Sequence, residues 1–252
     1  MGVKILTNNV EAIAESLKRI GYKGIEVIRI DCKLNVPKGI AFYSAHFKID
    51  AFRYLASLPD NEYSILLDSN IICMKDFNKE FYAIVEEGLP MVYYLNGDGG
   101  IKKLRDVRMI DTSITWMSWA GGEFIGGKSA FYNALYREVM AFVEQYWEHI
   151  HDGLFHVGDE MLTSIALQRL RKMGIVPIDA KLFNVIHRYW AGFERNRITS
   201  YSVSLLHLPG DKTFFQHADI HARSINKILA GYSCWWMYQR AKQFIKQALR
   251  LK

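Results

Sequence analysis

The 252 residues carry a formal charge of +6 at neutral pH, and half of them are apolar. An apolar share that large, rich in Tyr, Phe and Trp, excludes a disordered chain, and no apolar run reaches the length of a membrane span. Cys32, Cys73 and Cys234 lie far apart, which excludes a disulfide framework and a zinc module and fits a reducing, cytoplasmic setting. The basic balance is compatible with nucleic acid, an anionic membrane or a phosphorylated ligand and does not choose among them.

In chain order, Val3–Thr7 reads as a first strand, without the layout of a signal peptide. Asn8 or Asn9 can cap the helix that follows, in which Val10, Ile13, Ala14, Leu17 and Ile20 recur at helical spacing before Gly21 or Gly24 ends it. Ile25–Ile30 is a second strand. A loop around Pro37 and Gly39 leads to a helix near Ala45–Ser57, and Pro59-Asp60-Asn61 is a turn. The run from Tyr63 to Leu67 is too short for a typical helix and reads as a buried strand that ends in Asp68-Ser69-Asn70. The first third is therefore βαβαβ, which predicts an α/β fold with a mostly parallel central sheet between helices.

Glu80–Glu87 reads as a helix and Pro90–Leu95 as a strand. Residues 101–120, basic with Trp116 and Trp119, read as a loop or short edge strands. Ser129–His149 has the apolar spacing of one long helix, and Asp159–Lys172 that of another. Gly174–Ile178 is a short strand, residues 187–200 a basic, aromatic loop, and Val203–Leu208 a last strand. There is no internal repeat and no strong break. The expected organisation is one catalytic domain over 1–232, with halves at about 1–100 and 101–232, followed by a basic amphipathic helix over 233–252. In its 235–252 stretch Met237, Ala241, Phe244 and Ile245 form an apolar stripe and Lys242, Lys246 and Arg250 another face. That pattern suits an anionic membrane surface or a helix packed on its own domain.

Four groups of residues carry candidate chemistry. Asp68 and Asn70 alternate on an extended chain and point the same way, so they can offer two oxygens to Mg²⁺ or Mn²⁺. Glu123 sits between glycine pairs in Gly121-Gly-Glu-Phe-Ile-Gly-Gly127, where backbone can approach a sugar or another polyol closely; a strained turn is the plainer alternative. Asp159 and Glu160 open a helix, where they complement its dipole or serve as base or charge stabiliser. His207 ends a strand before Gly210 and Lys212, where a histidine can ligate a metal and a lysine can meet phosphate. A Walker A loop, a dinucleotide-binding glycine fingerprint and a serine-hydrolase elbow are all missing.

Taken together these segments resemble the glycosyltransferases of the GT-A fold, nearest to the glycogenin and bacterial lipooligosaccharide galactosyltransferase type. Ile5-Leu-Thr-Asn-Asn9 looks like the family's first strand and base-holding turn, which implies nucleotide contacts for Thr7, Asn8 and Asn9. Tyr43-Ser-Ala-His-Phe-Lys48, then a helix and Leu66-Leu-Asp-Ser-Asn70, is similar to the basic residue, helix and Asp-x-Asp motif. Gly158-Asp-Glu160 stands where the family has acidic and amide side chains near the donor sugar. His207-x-x-Gly210-x-Lys212 resembles the late His-x-x-Gly-x-x-Lys.

The resemblance implies a metal on Asp68, Asn70 and His207, donor contacts from Lys48, Gly210 and Lys212, and Glu123, Asp159 and Glu160 near sugar or acceptor. It implies transfer from a nucleotide sugar, a UDP-sugar foremost, to a surface glycan or glycolipid, with retention favoured over inversion and no role for nucleic acid. The dispersed cysteines fit the cytoplasm, and the 235–252 helix, read as membrane-binding, would hold the protein peripherally on the inner face of the membrane. Three departures stand out: Asn70 replaces an acid, the late motif is one residue short, and Gly-Gly-Glu-Phe replaces Asn-Ala-Gly. A sugar nucleotidyltransferase would open with a glycine-rich, arginine-bearing loop, which Thr7-Asn-Asn9 is not. A non-enzymatic module for membrane or nucleic acid would gather its positive charge on one face.

Overall fold

The computed structural model describes residues 2–95, 100–189, 202–208, 214 and 225–250. Contacts divide the chain into two compact units. The first joins Met1–Leu67 to Lys79–Ala180, and the second joins Asp68–Asn78 to Lys181–Lys252.

The first unit opens with β1 (Lys4–Thr7), α1 (Val10–Arg19) and β2 (Glu26–Arg29). β1 and β2 pair in parallel as a two-stranded sheet. Asn9 caps α1, its side-chain oxygen accepting the Ala12 N–H at 3.2 Å, and Gly21 at φ +70° takes the chain out of the helix. A 3-10 turn over Tyr43–Phe47 runs into α2 (Lys48–Leu55).

A four-stranded sheet then follows, in the order β3 (Tyr63–Leu67), β6 (Trp119–Lys128), β5 (Met91–Leu95), β7 (Ile178–Asp179). β3 and β5 both run antiparallel to β6, and only β7 is parallel to its neighbour. The fold is α/β as expected, but this sheet is mixed rather than mostly parallel. The order of elements along the chain does not say which strands become neighbours, and β6, some fifty residues after β3, inserts beside it.

Helices α3 (Lys79–Glu87), α4 (Gly100–Ile110), α5 (Ser129–Met140), α6 (Val143–His149) and α7 (Asp159–Lys172) complete the unit. The basic stretch expected as loop over 101–120 is helical through Ile110. Its charged residues surround buried Asp106 and Val107, and Asp106 accepts the backbone N–H of Phe155. The single helix expected over Ser129–His149 is broken at Ala141–Phe142, where Phe142 leaves helical φ/ψ and its ring is buried. One continuous apolar core runs through α2, β6, α5 and α7. Ile49, Phe52, Ile125, Leu135, Tyr146, Leu162 and Ile165 are all at or near zero exposure.

The second unit holds β4 (Ile71–Cys73), β8 (Ile186–Arg188) and β9 (Leu205–His207) in the order β4-β9-β8, and α8 (Ile225–Arg250). β9 lies antiparallel to β4 and parallel to β8. Ile228, Tyr232 and Trp235 of α8 pack on Met74, Leu206, Leu208 and Phe214. Met237, Tyr238, Phe244 and Ile245 of the same helix are exposed. No helix among the described residues is long and apolar enough to cross a membrane.

Candidate active site

In the first unit the site is built on β6. β5 advances two residues, from Val92 to Tyr94, while β6 advances from Ala120 to Ile125. The surplus is a bulge over Gly121–Phe124, a device that re-aims backbone and side chains. It turns the Gly122 carbonyl to accept from Lys48 Nζ at 2.8 Å. Lys48, the first residue of α2, also lies 2.6 Å from a carboxylate oxygen of Asp159, the first residue of α7. Their side chains are 14% and 11% exposed, so both charges have largely left water and depend on each other. A methyl group at Gly122 would fall 2.5 Å from Asp159 and 2.7 Å from Lys48, which explains the glycine.

Glu160 lies one residue on. It accepts from the Trp119 indole N–H at 2.9 Å and stands 3.6 Å from His156 Nε2. His156 meets Trp119 edge-on and stacks on the exposed ring of Phe42. Glu123 is wholly buried in the strand, its carboxylate folded back toward Gly121, where an added Cβ would also meet Tyr93. The Gly121–Gly127 stretch is thus mid-strand, neither loop nor turn. Sequence spacing could not place it, because a run of small residues carries no periodicity.

Thr7, Asn8 and Asn9 form the turn between β1 and α1. Thr7 Oγ1 accepts the Asn9 N–H at 3.0 Å, the Asn8 carbonyl meets Arg29, and the Asn9 side chain is spent on the helix cap.

The second unit carries the other constellation. Asp68-Ser69-Asn70 turns into β4, and β4 pairs with β9 so that Ile71 faces His207. Asn70 is buried; its amide donates to the Leu208 carbonyl at 3.0 Å, and the Leu208 N–H donates to the Asn70 carbonyl at 3.1 Å. Asn70 Oδ1 lies 3.1 Å from His207 Nε2, and Asp68 Oδ2 lies 3.6 Å from the same nitrogen. Residues 137 positions apart are thereby brought to one point. Gly210 and Lys212 lie outside the described residues.

This donor set suits a divalent cation. Asp68 and Asn70 would offer oxygen and His207 nitrogen, the donor types that Mg²⁺ or Mn²⁺ takes. The set has one carboxylate only. Among the described residues no three His, Cys, Asp or Glu side chains are placed to share a metal, because the third member is the amide of Asn70.

Sequence reasoning assigned Lys48 to the donor; the structure sets Asp159 and the Gly122 carbonyl beside it. It also passed over His46, Tyr146, Trp119 and His156. Only the signature of buried polar residues could have raised them, and burial is a tertiary fact.

The architecture is that of the GT-A fold. LgtC, a galactosyltransferase, shares it in a structure with donor and acceptor sugar analogs at a TM-score of 0.51, 12% identity, and coverage of 93% of this chain and 96% of that one. An active-site mutant of LgtC matches at a TM-score of 0.51 and 13% identity over the same shares. Mouse xyloside xylosyltransferase 1, in its apo form, matches at a TM-score of 0.50 and 10% identity, over 83% of this chain and 84% of that one. No family model matches the sequence, and no curated protein matches it either.

Proposed function

We propose that this protein is a glycosyltransferase that moves a sugar from a nucleotide donor, a UDP-sugar, to a glycan or glycolipid acceptor. The observation that carries the reading is the convergence of Asp68, Asn70 and His207 within the second unit. It gathers oxygen and nitrogen donors of the kind that can meet a metal and a diphosphate, and LgtC, which shares the fold, was captured with donor and acceptor sugar analogs.

In the transfer, the bond from anomeric carbon to diphosphate breaks and a bond to an acceptor oxygen forms. The acceptor proton leaves with the diphosphate. The diphosphate is the poor leaving group, and its charge must be neutralised. A divalent cation on Asp68, Asn70 and His207 would supply that neutralisation, with Lys212 and Gly210 assigned to the phosphates. In the first unit Asp159 is assigned to the donor sugar. Its pairing with Lys48 disfavours the role of a general base, which favours retention. Glu160 orients Trp119 and His156. Glu123, fully buried, supports the bulge. Thr7, Asn8 and Asn9 are assigned to the nucleotide base.

The exposed stripe of Met237, Tyr238, Phe244 and Ile245, beside Arg240 and Lys242, is assigned to an anionic membrane surface on the cytoplasmic side, where lipid-linked acceptors lie. Co-sedimentation with phosphatidylglycerol vesicles, lost in Phe244→Glu and absent with neutral vesicles, is the expected behaviour.

The test of the transfer reading is thermal stability with UDP and UDP-sugars, with and without Mn²⁺. A ligand at a hundredfold excess over its dissociation constant adds about 2.7 kcal/mol of stability. A Mn²⁺-dependent rise, lost in a folded Asp68→Ala variant together with transfer, is expected. Normal turnover by folded Asp68→Ala would refute the assignment.

A further inference from the structure

Two unusual backbone conformations flank the Lys48–Asp159 pair. Phe42 is left-handed at φ +54° and opens the 3-10 turn that ends at Lys48. Gly158, at φ +142°, immediately precedes Asp159. A side-chain-bearing residue persists at positive φ only where its surroundings enforce it. Here the enforcing groups are His46 and Tyr146, both wholly buried. The Tyr146 hydroxyl oxygen accepts the Gly158 N–H at 2.9 Å, and the same oxygen lies 2.9 Å from His46 Nε2. His46 Nδ1 lies 3.0 Å from the Phe42 carbonyl.

Proton counting leaves one arrangement. The Phe42 carbonyl can only accept, so Nδ1 carries the ring proton; in the neutral ring Nε2 then bears the lone pair and receives the single proton of the Tyr146 hydroxyl. The imidazole is neutral in this arrangement, and burial, which holds its pKa below the ordinary value, keeps it so.

We propose that His46 and Tyr146 are positioning residues. Their relay from the Phe42 carbonyl to the Gly158 amide sets the two backbone turns that present Lys48 to Asp159. With no exposed surface they cannot touch substrate themselves. The functional part of the proposal rests on the transfer reading above; the structural part does not.

The experiment labels the full chain with an amine-acylating ester and reads Lys48 by peptide mass spectrometry. Lys48 is protected in the native protein, its side chain 14% exposed. Losing both hydrogen bonds of the hydroxyl in Tyr146→Phe is expected to raise Lys48 labelling at least about fivefold. Tyr132→Phe is the control: Tyr132 is equally buried, and its hydroxyl donates to the Ile125 carbonyl at 2.6 Å, outside the relay. It should lower the melting temperature comparably and leave Lys48 labelling unchanged. His46→Gln, which keeps an acceptor for Tyr146 but loses the donor to Phe42, should fall between.

Unchanged Lys48 labelling in folded Tyr146→Phe, or an equal rise in Tyr132→Phe, overturns the proposal. If Tyr146→Phe fails to fold by circular dichroism, native-level labelling in His46→Gln overturns it instead. A labelling change in the variants, beside a wild type that transfers sugar from no nucleotide donor, would sink the transfer reading and leave the relay standing.

Discussion

The Lys48–Asp159 pair and the Asp68–Asn70–His207 cluster hold charge in opposite ways. The first is a nearly buried ion pair, closed by the Gly122 carbonyl and set between the first residues of two helices. Its charges cancel inside the protein. The second is anchored by neutral hydrogen bonds from Asn70 to Leu208, while Asp68 keeps 32% of its side chain exposed. Its carboxylate reaches solvent while standing 3.6 Å from His207 Nε2. The difference separates a pair closed off from water from a cluster that keeps a carboxylate at the surface.

The largest expected effect comes from breaking the first arrangement. Asp159→Asn strands a buried ammonium and should cost about 3–5 kcal/mol in denaturant unfolding. The double variant Lys48→Met with Asp159→Leu should recover most of that loss. A single variant as stable as wild type would show that the pair is not buried in solution. The second arrangement can be sharpened rather than broken. Asn70→Asp adds charge to the donor set and should tighten Mn²⁺ binding about tenfold in calorimetry, because affinity for hard cations rises with ligand charge. Weaker or equal binding would mean that the amide is there to hold β9 and not to face a metal.

The smallest effect is on pH dependence. Burial depresses the His46 imidazole in the folded state below its ordinary value of 6.5. The unfolded chain therefore takes the proton first as pH falls. The stability contributed is full above 6.5 and declines as pH drops toward the folded-state value. Melting temperatures measured from about pH 7 down to about pH 5 should fall, and His46→Asn should fall less steeply over the same range. Parallel slopes would remove His46 as the source.

Much of the fold was legible from local pattern. The Asn9 cap, the helical spacing of Val10, Ile13 and Leu17, the Asp159 helix start and the short strand before Asp68 are signals written within a few residues of one another. α4 was not legible, because its lysines and arginines masked the few inward positions, Asp106 and Val107 among them. Nor was β6, whose glycines remove the alternation by which a strand is recognised.

The candidate residues themselves also came from sequence: acids, a histidine and a lysine at inferred element ends, in an order that resembles a known family. Their partners did not. Whether Lys48 meets Asp159, whether Asn70 meets His207, and whether His46 and Tyr146 lock the turns between them depend on strand order, a bulge in β6 and burial. Residue type and spacing are local and determine which chemistry is available. Distances between residues a hundred or more positions apart are decided only when the core closes, because that packing, not the chain, sets which side chains share a space too small for water.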